Sequence, residues 1–390
     1  MSEKKWSIFN NHDKNNSYLD LELLKQEVGK KFPFYDVRYN EKAAAFYCRI
    51  DEKNLESNFE ELRILLSKKG YIPMLRHEKG EHLIYVTKKP ETKARPVWIN
   101  LVTLIATIFT TALAGAWQWI GIKEAVWANS AGILDLLTKS LTPTYMLDGF
   151  LYFTIPLLSI LGIHEMGHYF ISKKHNLNTS LPFFIPVPPP FILGTFGAVI
   201  STREPIPNRK ALLDVGVSGP ISGFLVAIPV SIIGLFFMQQ NPFSIPSSID
   251  TDAFITPVYP LLLQWLSDLF NITSQTDIFT HPTLFAGWVG FFLTAVNLLP
   301  VGQLDGGHVA KALLKDKQKY ASWAVIIFIF IMVWLWPGWI WFAFIILFLI
   351  GTKHTPPLNE LSPLGIKRII VGIIALIIFA LCFAPIPIQV

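Results

Sequence analysis

The 390-residue sequence predicts a polytopic α-helical membrane protein with a small α+β soluble domain in front of it. Three observations carry that expectation. Hydrophobic residues make up 52% of the chain and charged residues only 16%, against roughly 25% charged in a soluble domain, and the mean hydropathy is positive. Long apolar stretches recur after residue 96. The basic residues between those stretches fall on one side if the stretches alternate across a bilayer.

Residues 1–95 read as the soluble domain. Helical periodicity covers Leu19–Lys31 and Asn54–Lys69, and strand-like runs occupy Phe34–Tyr39, Ala43–Ile50, Tyr71–Arg76 and His82–Thr87. Gly70 is a helix stop, and Glu78-Lys79-Gly80-Glu81 is a hairpin turn. The order αββαββ suits a small sandwich of helices on a sheet. Nothing catalytic stands out here, so a regulatory or docking role is expected. The polar opening residues are not followed by an apolar core with a cleavage site, which argues against a secretory signal. Cys48 and Cys382 imply neither a disulfide framework nor a Cys-rich zinc site. The net charge of +5 is modest, and no nucleic-acid partner is expected.

Residues 96–390 read as the membrane domain. The candidate spans are Val97–Ile120, Gly149–Ile171, Leu212–Phe237, Leu284–Leu299, Tyr320–Trp336, Trp339–Ile350 and Ile366–Phe383, of which the fourth and sixth are short. About six to seven crossings follow. Trp98, Trp117, Trp334, Trp336 and Trp339 suit interfacial anchors. Lys88, Lys89, Lys93 and Arg95, then Lys173, Lys174, Arg203, Arg209 and Lys210, then Lys311, Lys315, Lys317 and Lys319, and finally Lys353, Lys367 and Arg368 all fall on one side. The stretch Gln239–Thr280 has no Lys or Arg but carries Asp250, Asp252, Asp268 and Asp277. The asymmetry places the N-terminus in the cytoplasm. Leu181–Ile200 is apolar but crowded with Pro and Gly. Proline removes a donor and breaks helices, and unpaired backbone is not tolerated against lipid. That segment is therefore expected as a re-entrant hairpin or loop buried in protein, with a plain interfacial loop as the alternative.

His164-Glu165-Met166-Gly167-His168 lies near one end of the second apolar segment. Histidines at i and i+4 share one helix face and reach one metal ion. Imidazole suits Zn²⁺, and a catalytic site takes three protein ligands plus an open position. Glu165 stands where a carboxylate accepts a proton from water. Ionisable groups in an apolar segment are expensive without a function; the bland alternative is a polar cluster at the membrane edge. Asp305 is the only carboxylate between Asp277 and Asp316 and falls on the same side as His168. It is the candidate third ligand, with Gly306 and Gly307 letting the chain turn sharply. For the bare Asp-Gly-Gly, a turn at a helix end remains the competing reading.

Taken together, HExxH in one span and Asn297-Leu298-Leu299-Pro300 running on to Leu304-Asp305-Gly306-Gly307 in a later one resemble the site-2 protease family of intramembrane metalloproteases. GTFGAVI at 194–200 and SGPISG at 218–223 resemble stretches lying between those motifs, and GTKHTPP at 351–357 resembles the longer bacterial and plastid branch. The resemblance covers about 150–310. It implies zinc held by His164, His168 and Asp305, with Glu165 as catalytic base. It further implies substrate contacts from Asn297 and from the strand containing Gly194, Phe196 and Gly197. The expected partners are transmembrane-protein substrates and membrane lipid. The expected location is a bacterial plasma membrane, with a plastid membrane second.

Among the remaining histidines, His281 is expected at the interface, His175 in a cytoplasmic loop and His308 at a solvated helix end; a role for His354 stays open. Asn271-Ile272-Thr273 fits a glycosylation acceptor. The competing function classes are a metal transporter and a non-catalytic scaffold for membrane partners. A transporter would string ionisable groups along a path, whereas here they concentrate at one constellation. A dead scaffold would be expected to lose Glu165 or a ligand, and none is missing.

Overall fold

The computed structural model describes residues 19–50, 54–90, 96–124, 132–240, 256–272 and 281–389. The chain divides into two compact units, one formed by residues 1–92 with 358–362, the other by 93–357 with 363–390.

In the first unit the elements run α1 (Leu21–Lys31), β1 (Phe34–Tyr39), β2 (Ala43–Cys48), α2 (Leu55–Lys68), β3 (Tyr71–Glu78) and β4 (Glu81–Lys88). The strands form one antiparallel sheet in the order β1-β2-β4-β3. This is the expected order, with ends shifted by two residues at most. The Asp20 carboxylate caps α1 by accepting from the Leu23 amide at 3.1 Å. The helices bury Leu24, Val28, Phe59, Leu62 and Leu66 against Phe46, Ile84 and Val86 of the sheet. Lys79 and Gly80 both have positive φ (52° and 83°), the backbone a two-residue hairpin turn of this hand requires. Cys48 is a core residue whose thiol burial pushes up to about 12. The far edge of this sheet, β3, is extended by a segment from much later in the chain. The Leu75 amide donates to the Leu358 carbonyl at 2.7 Å, Leu75 pairs in parallel with Asn359, and Leu358 is buried among the domain's core residues.

The second unit is built of α3 (Val97–Glu124), α4 (Ile133–Ser140), α5 (Pro143–Gly149), α6 (Ile155–Lys174), α7 (Arg209–Gln240), α8 (Leu261–Leu269), α9 (Pro282–Asn297), α10 (Asp305–Leu314), α11 (Gln318–Met332), α12 (Trp339–Ile345) and α13 (Ile366–Cys382). A π-helical turn, Phe150–Thr154, joins α5 to α6, so helix is continuous over Pro143–Lys174. All seven expected apolar segments are helical. Among the described residues, three helices are long and apolar enough to cross a membrane: Val97–Lys123, Pro143–Lys174 and Arg209–Gln240. Pro282–Asn297 and Trp339–Phe348 are shorter apolar helices.

Small residues let these helices approach closely, as interfaces without a hydrophobic driving force require. A Cβ on Gly115 of α3 would lie 2.7 Å from the Gly149 carbonyl of α5. One on Gly234 of α7 would lie 2.5 Å from the Leu284 backbone of α9. The core sits where α6, α7 and α9 meet, around Leu157, Ile160, Leu213, Ala227, Leu284 and Phe291. Trp339, expected as an interfacial anchor, is instead a core residue, 1% exposed, with its indole N–H donated to the Pro385 carbonyl at 2.7 Å. Exposed Trp98 and Trp334 retain the character expected of anchors.

The proline-rich segment forms an antiparallel hairpin, β5 (Phe183–Pro186) with β6 (Thr195–Val199), in register Phe183↔Val199 and Phe184↔Ala198. Below it the pairing continues irregularly to Asn178 and Arg203. Much of Gln239–Thr280, and Thr273 of the expected glycosylation acceptor, lies outside the described residues.

Candidate metal centre

The i, i+4 spacing does what the sequence implies: His164 and His168 project from one face of α6 with Nε2 atoms 3.2 Å apart. Asp305, the first residue of α10, brings Oδ2 to 3.2 Å from His168 Nε2 and 3.3 Å from His164 Nε2. The structure thus unites residues 137 positions apart in sequence. Among the described residues this is the one cluster of three or more His, Cys, Asp or Glu with ligand atoms close enough for a metal ion.

The spacing tests whether zinc fits. Ligand atoms held at about 2.0–2.1 Å around a tetrahedral ion stand about 3.3–3.4 Å apart. The three observed separations match an ion's ligand shell. The donor set is also right: two imidazoles and a carboxylate, with room in the coordination number for a fourth ligand.

Groups behind the ligands fix their orientation. His168 Nδ1 donates to the Val215 carbonyl of α7 at 2.8 Å, which leaves Nε2 with its lone pair toward the cluster. Ser218 donates to the same carbonyl at 2.8 Å. α7 can lie this close because Gly219 and Gly223 face the histidines. A Cβ on Gly219 would fall on His168 Nε2, and one on Gly223 would lie 3.1 Å from His164 Cβ. From the α6 side, a Cβ on Gly167 would sit 2.7 Å from the Ser218 carbonyl. α7 also grips the helix that carries Asp305. Gly216 packs against His308 and the Asp305 carbonyl, and buried Arg209 donates from Nε (2.9 Å) and Nη2 (2.6 Å) to the Ala312 carbonyl near the end of α10. That contact satisfies a carbonyl that a helix end leaves unpaired.

Gly306 and Gly307 do not turn the chain, as the sequence suggested. Both lie in the first turn of α10, where their missing side chains admit the backbone of Leu298 and of Val301–Gly302. The sharp turn is made earlier, by Gly302 at φ 52°.

Glu165 is buried, 9% exposed, and β6 packs against α6, the helix that carries it. Of the candidate substrate residues, Phe196 is 67% exposed, and Gly197, at φ 95°, has open space around it. Gly194 faces α3 instead: a Cβ there would lie 2.6 Å from Thr111 Cα. Asn297 is the half-buried last residue of α9, eight positions before Asp305.

Three histidines are held by specific partners. His281 is 4% exposed, caps α9 by accepting from the Thr283 amide at 3.2 Å, and is enclosed by Trp119, Tyr152 and Phe237. His175 is not a free loop residue: its Nε2 meets Asp214 at 3.0 Å, and Arg368 clamps the same carboxylate through two bonds of 2.8 Å. The starts of α7 and α13 are thereby tied to the end of α6. His308 stacks edge-on against His354 with centroids 4.6 Å apart and donates from Nδ1 to the Leu304 carbonyl, rather than standing in solvent. Residue-by-residue reading missed Arg209, Asp214 and the serine–glycine face of α7. The available signal was the small-residue spacing of 218–223 in an apolar helix.

Comparison with known proteins agrees with this geometry. The chain is 28% identical over 232 residues to "Probable zinc metalloprotease EGY1, chloroplastic" of Oryza sativa subsp. japonica, covering 58% of this chain and 39% of that protein. It is 24% identical over 303 residues to "Probable zinc metalloprotease EGY2, chloroplastic" of Arabidopsis thaliana, covering 77% and 51%. A third relative, "Probable zinc metallopeptidase EGY3, chloroplastic" of Arabidopsis thaliana, is 26% identical over 300 residues, covering 71% and 50%. The chain spans about half the length of these curated relatives or less. No solved structure matches it. Residues 152–335, which contain both halves of the metal site, match the profile of Peptidase family M50.

Proposed function

We propose that this protein is an intramembrane zinc endopeptidase that hydrolyses peptide bonds in or near transmembrane segments of membrane-protein substrates. The observation that carries the reading is the His164, His168 and Asp305 triangle at zinc-ligand spacing on apolar helices, with Glu165 on the same helix as two of the ligands. Zinc, when held there, supplies Lewis acidity to the scissile carbonyl and to the attacking water. Glu165 takes the proton from that water on its carboxylate and returns it to the leaving amine. Burial keeps bulk water from competing at the site. A transmembrane helix has its amides bonded internally, so the substrate unwinds locally before attack. The unwound stretch then pairs with β6, which among the described residues has no strand on its second edge.

In this reading all seven apolar segments belong to the membrane, the shorter ones within the bundle. The N-terminus and the metal centre lie on the cytoplasmic side, where the basic residues collect. The membrane is a bacterial plasma membrane, with a plastid membrane, the location in the relatives' names, as the second choice. The first unit serves regulation or docking.

Metal content and cleavage of a model membrane substrate test this together. His164→Ala should lose zinc, and zinc retained at full stoichiometry would remove the site assignment. Glu165→Ala should keep zinc and lose cleavage, by several orders of magnitude; unchanged activity would remove Glu165 as the base.

A further inference from the structure

The hairpin that packs against α6, the helix of Glu165, is held by a helix outside the family-matched stretch. α3 ends before residue 152, where that match begins. Its side chains bond to hairpin carbonyls at both ends. Asn100 Nδ2 donates to the carbonyls of Leu181 (3.0 Å) and Pro182 (2.9 Å) at the base. Near the tip, Thr110 Oγ1 donates to Gly194 at 2.6 Å and Gln118 Nε2 donates to Ile192 at 3.2 Å. Asn100 and Gln118 are five helical turns apart, about 27 Å along one face.

The hairpin's own sequence explains why it needs these donors. Pro182, Pro186, Pro188, Pro189 and Pro190 remove amide donors from one strand and the tip. Where ladder donors are missing, carbonyls in an apolar setting must be satisfied from elsewhere; the Gly194 carbonyl keeps one, the Val187 amide at 3.1 Å, and Thr110 adds a second. The contact is close as well as polar: at Gly194, φ 69°, α3 leaves no space for a side chain.

Its second strand, β6, packs against α6, the helix that carries Glu165, His164 and His168. The hairpin is therefore a link between α3 and the helix of the metal centre. Along an extended strand one residue is about 3.3 Å, so sliding the hairpin by that distance would bring the neighbouring peptide bond of a strand-paired substrate to Glu165.

We infer that Asn100, Thr110 and Gln118 are positioning residues: they fix the register of β6 against the metal centre, and so determine which peptide bond of a β6-paired substrate is cut. This rests on the protease reading above. The full chain, zinc-loaded in detergent, is compared with Thr110→Val, Thr110→Ser and the Asn100→Ala/Gln118→Ala double variant. Three quantities are read: zinc content, amide hydrogen exchange across 183–199, and the cleaved bonds of a model transmembrane substrate by mass spectrometry.

Thr110→Val and the double variant should keep zinc and exchange about fivefold faster in the hairpin, the effect of one net hydrogen bond. They should spread cleavage over neighbouring bonds, and Thr110→Ser should restore both readouts. A single unchanged cleavage site in both disrupted variants overturns the inference, whatever the exchange shows. So does unchanged hairpin exchange in Thr110→Val, a result that can be read even if the wild type cuts nothing. A wild type that cuts nothing counts against the protease reading instead. Should Thr110→Val lose its fold, the double variant, which lies at the two ends of the contact, decides alone.

Discussion

His164 and His168 are free to serve as ligands because of what α7 lacks opposite them. The i, i+4 spacing brings the two imidazoles together on α6, but the position of Nε2 is set by the Val215 carbonyl and by the absence of a Cβ at Gly219. Gly219→Ala would put a methyl group on the His168 ring, so it is expected to weaken zinc binding by at least tenfold with all three ligands intact. Competition with a chromogenic chelator measures it; unchanged affinity would mean that α7 moves freely away from α6. The same logic separates Gly306 and Gly307 from their sequence-based reading. They look like turn formers next to Asp305, yet they are helical and serve close approach. Glycine in a sequence signals both uses equally, and only the neighbouring chain distinguishes them.

At the scale of elements, the centre depends on how α10 is held to α7. The two helices are joined at one end by Gly216 against the Asp305 carbonyl and at the other by the Arg209 guanidinium on the Ala312 carbonyl. Arg209→Ala removes a charged double donor from a buried carbonyl, worth roughly 1.5–3 kcal/mol. The expected outcome is a lower midpoint of thermal unfolding and faster zinc release, read from the same sample. Lysine should rescue only partly, since one ammonium does not reproduce the planar fork. In the sequence Arg209 is one of the charges expected to orient the spans, and nothing there signals its contact with Ala312. The seven apolar segments were legible because period and length suffice to recognise apolar helices. Their crossing points were not, since these depend on pairs such as Gly115 with Gly149 and Gly234 with Leu284.

At the scale of the molecule, the N-terminal fold is completed by residues that follow almost the whole second unit in sequence. Leu358 fills the domain core, and its carbonyl accepts from Leu75 and from Arg76 Nη1 at 3.0 Å. A parallel addition needs a long crossover, and here some 280 residues intervene. Leu358→Ala should therefore destabilise the N-terminal unit by about 2–3 kcal/mol through the cavity it leaves. Limited proteolysis of that unit would show it; unchanged resistance would mean that residues 358–362 add nothing to its stability.

Legible in the residues alone were the αββαββ order, the apolar helices, a hairpin or loop in place of a further helix at 181–200, and the three candidate ligands with Glu165 beside them. Those features follow from local period, turn chemistry and the scarcity of ionisable groups in apolar segments, all properties of neighbouring residues. Tertiary structure alone decided the 3.2–3.3 Å ligand triangle, the grip of Arg209 on α10, the suspension of the hairpin from α3 and the docking of Leu358. Each of these joins residues tens to hundreds of positions apart through the close approach of backbones, and no local pattern records which backbones will meet.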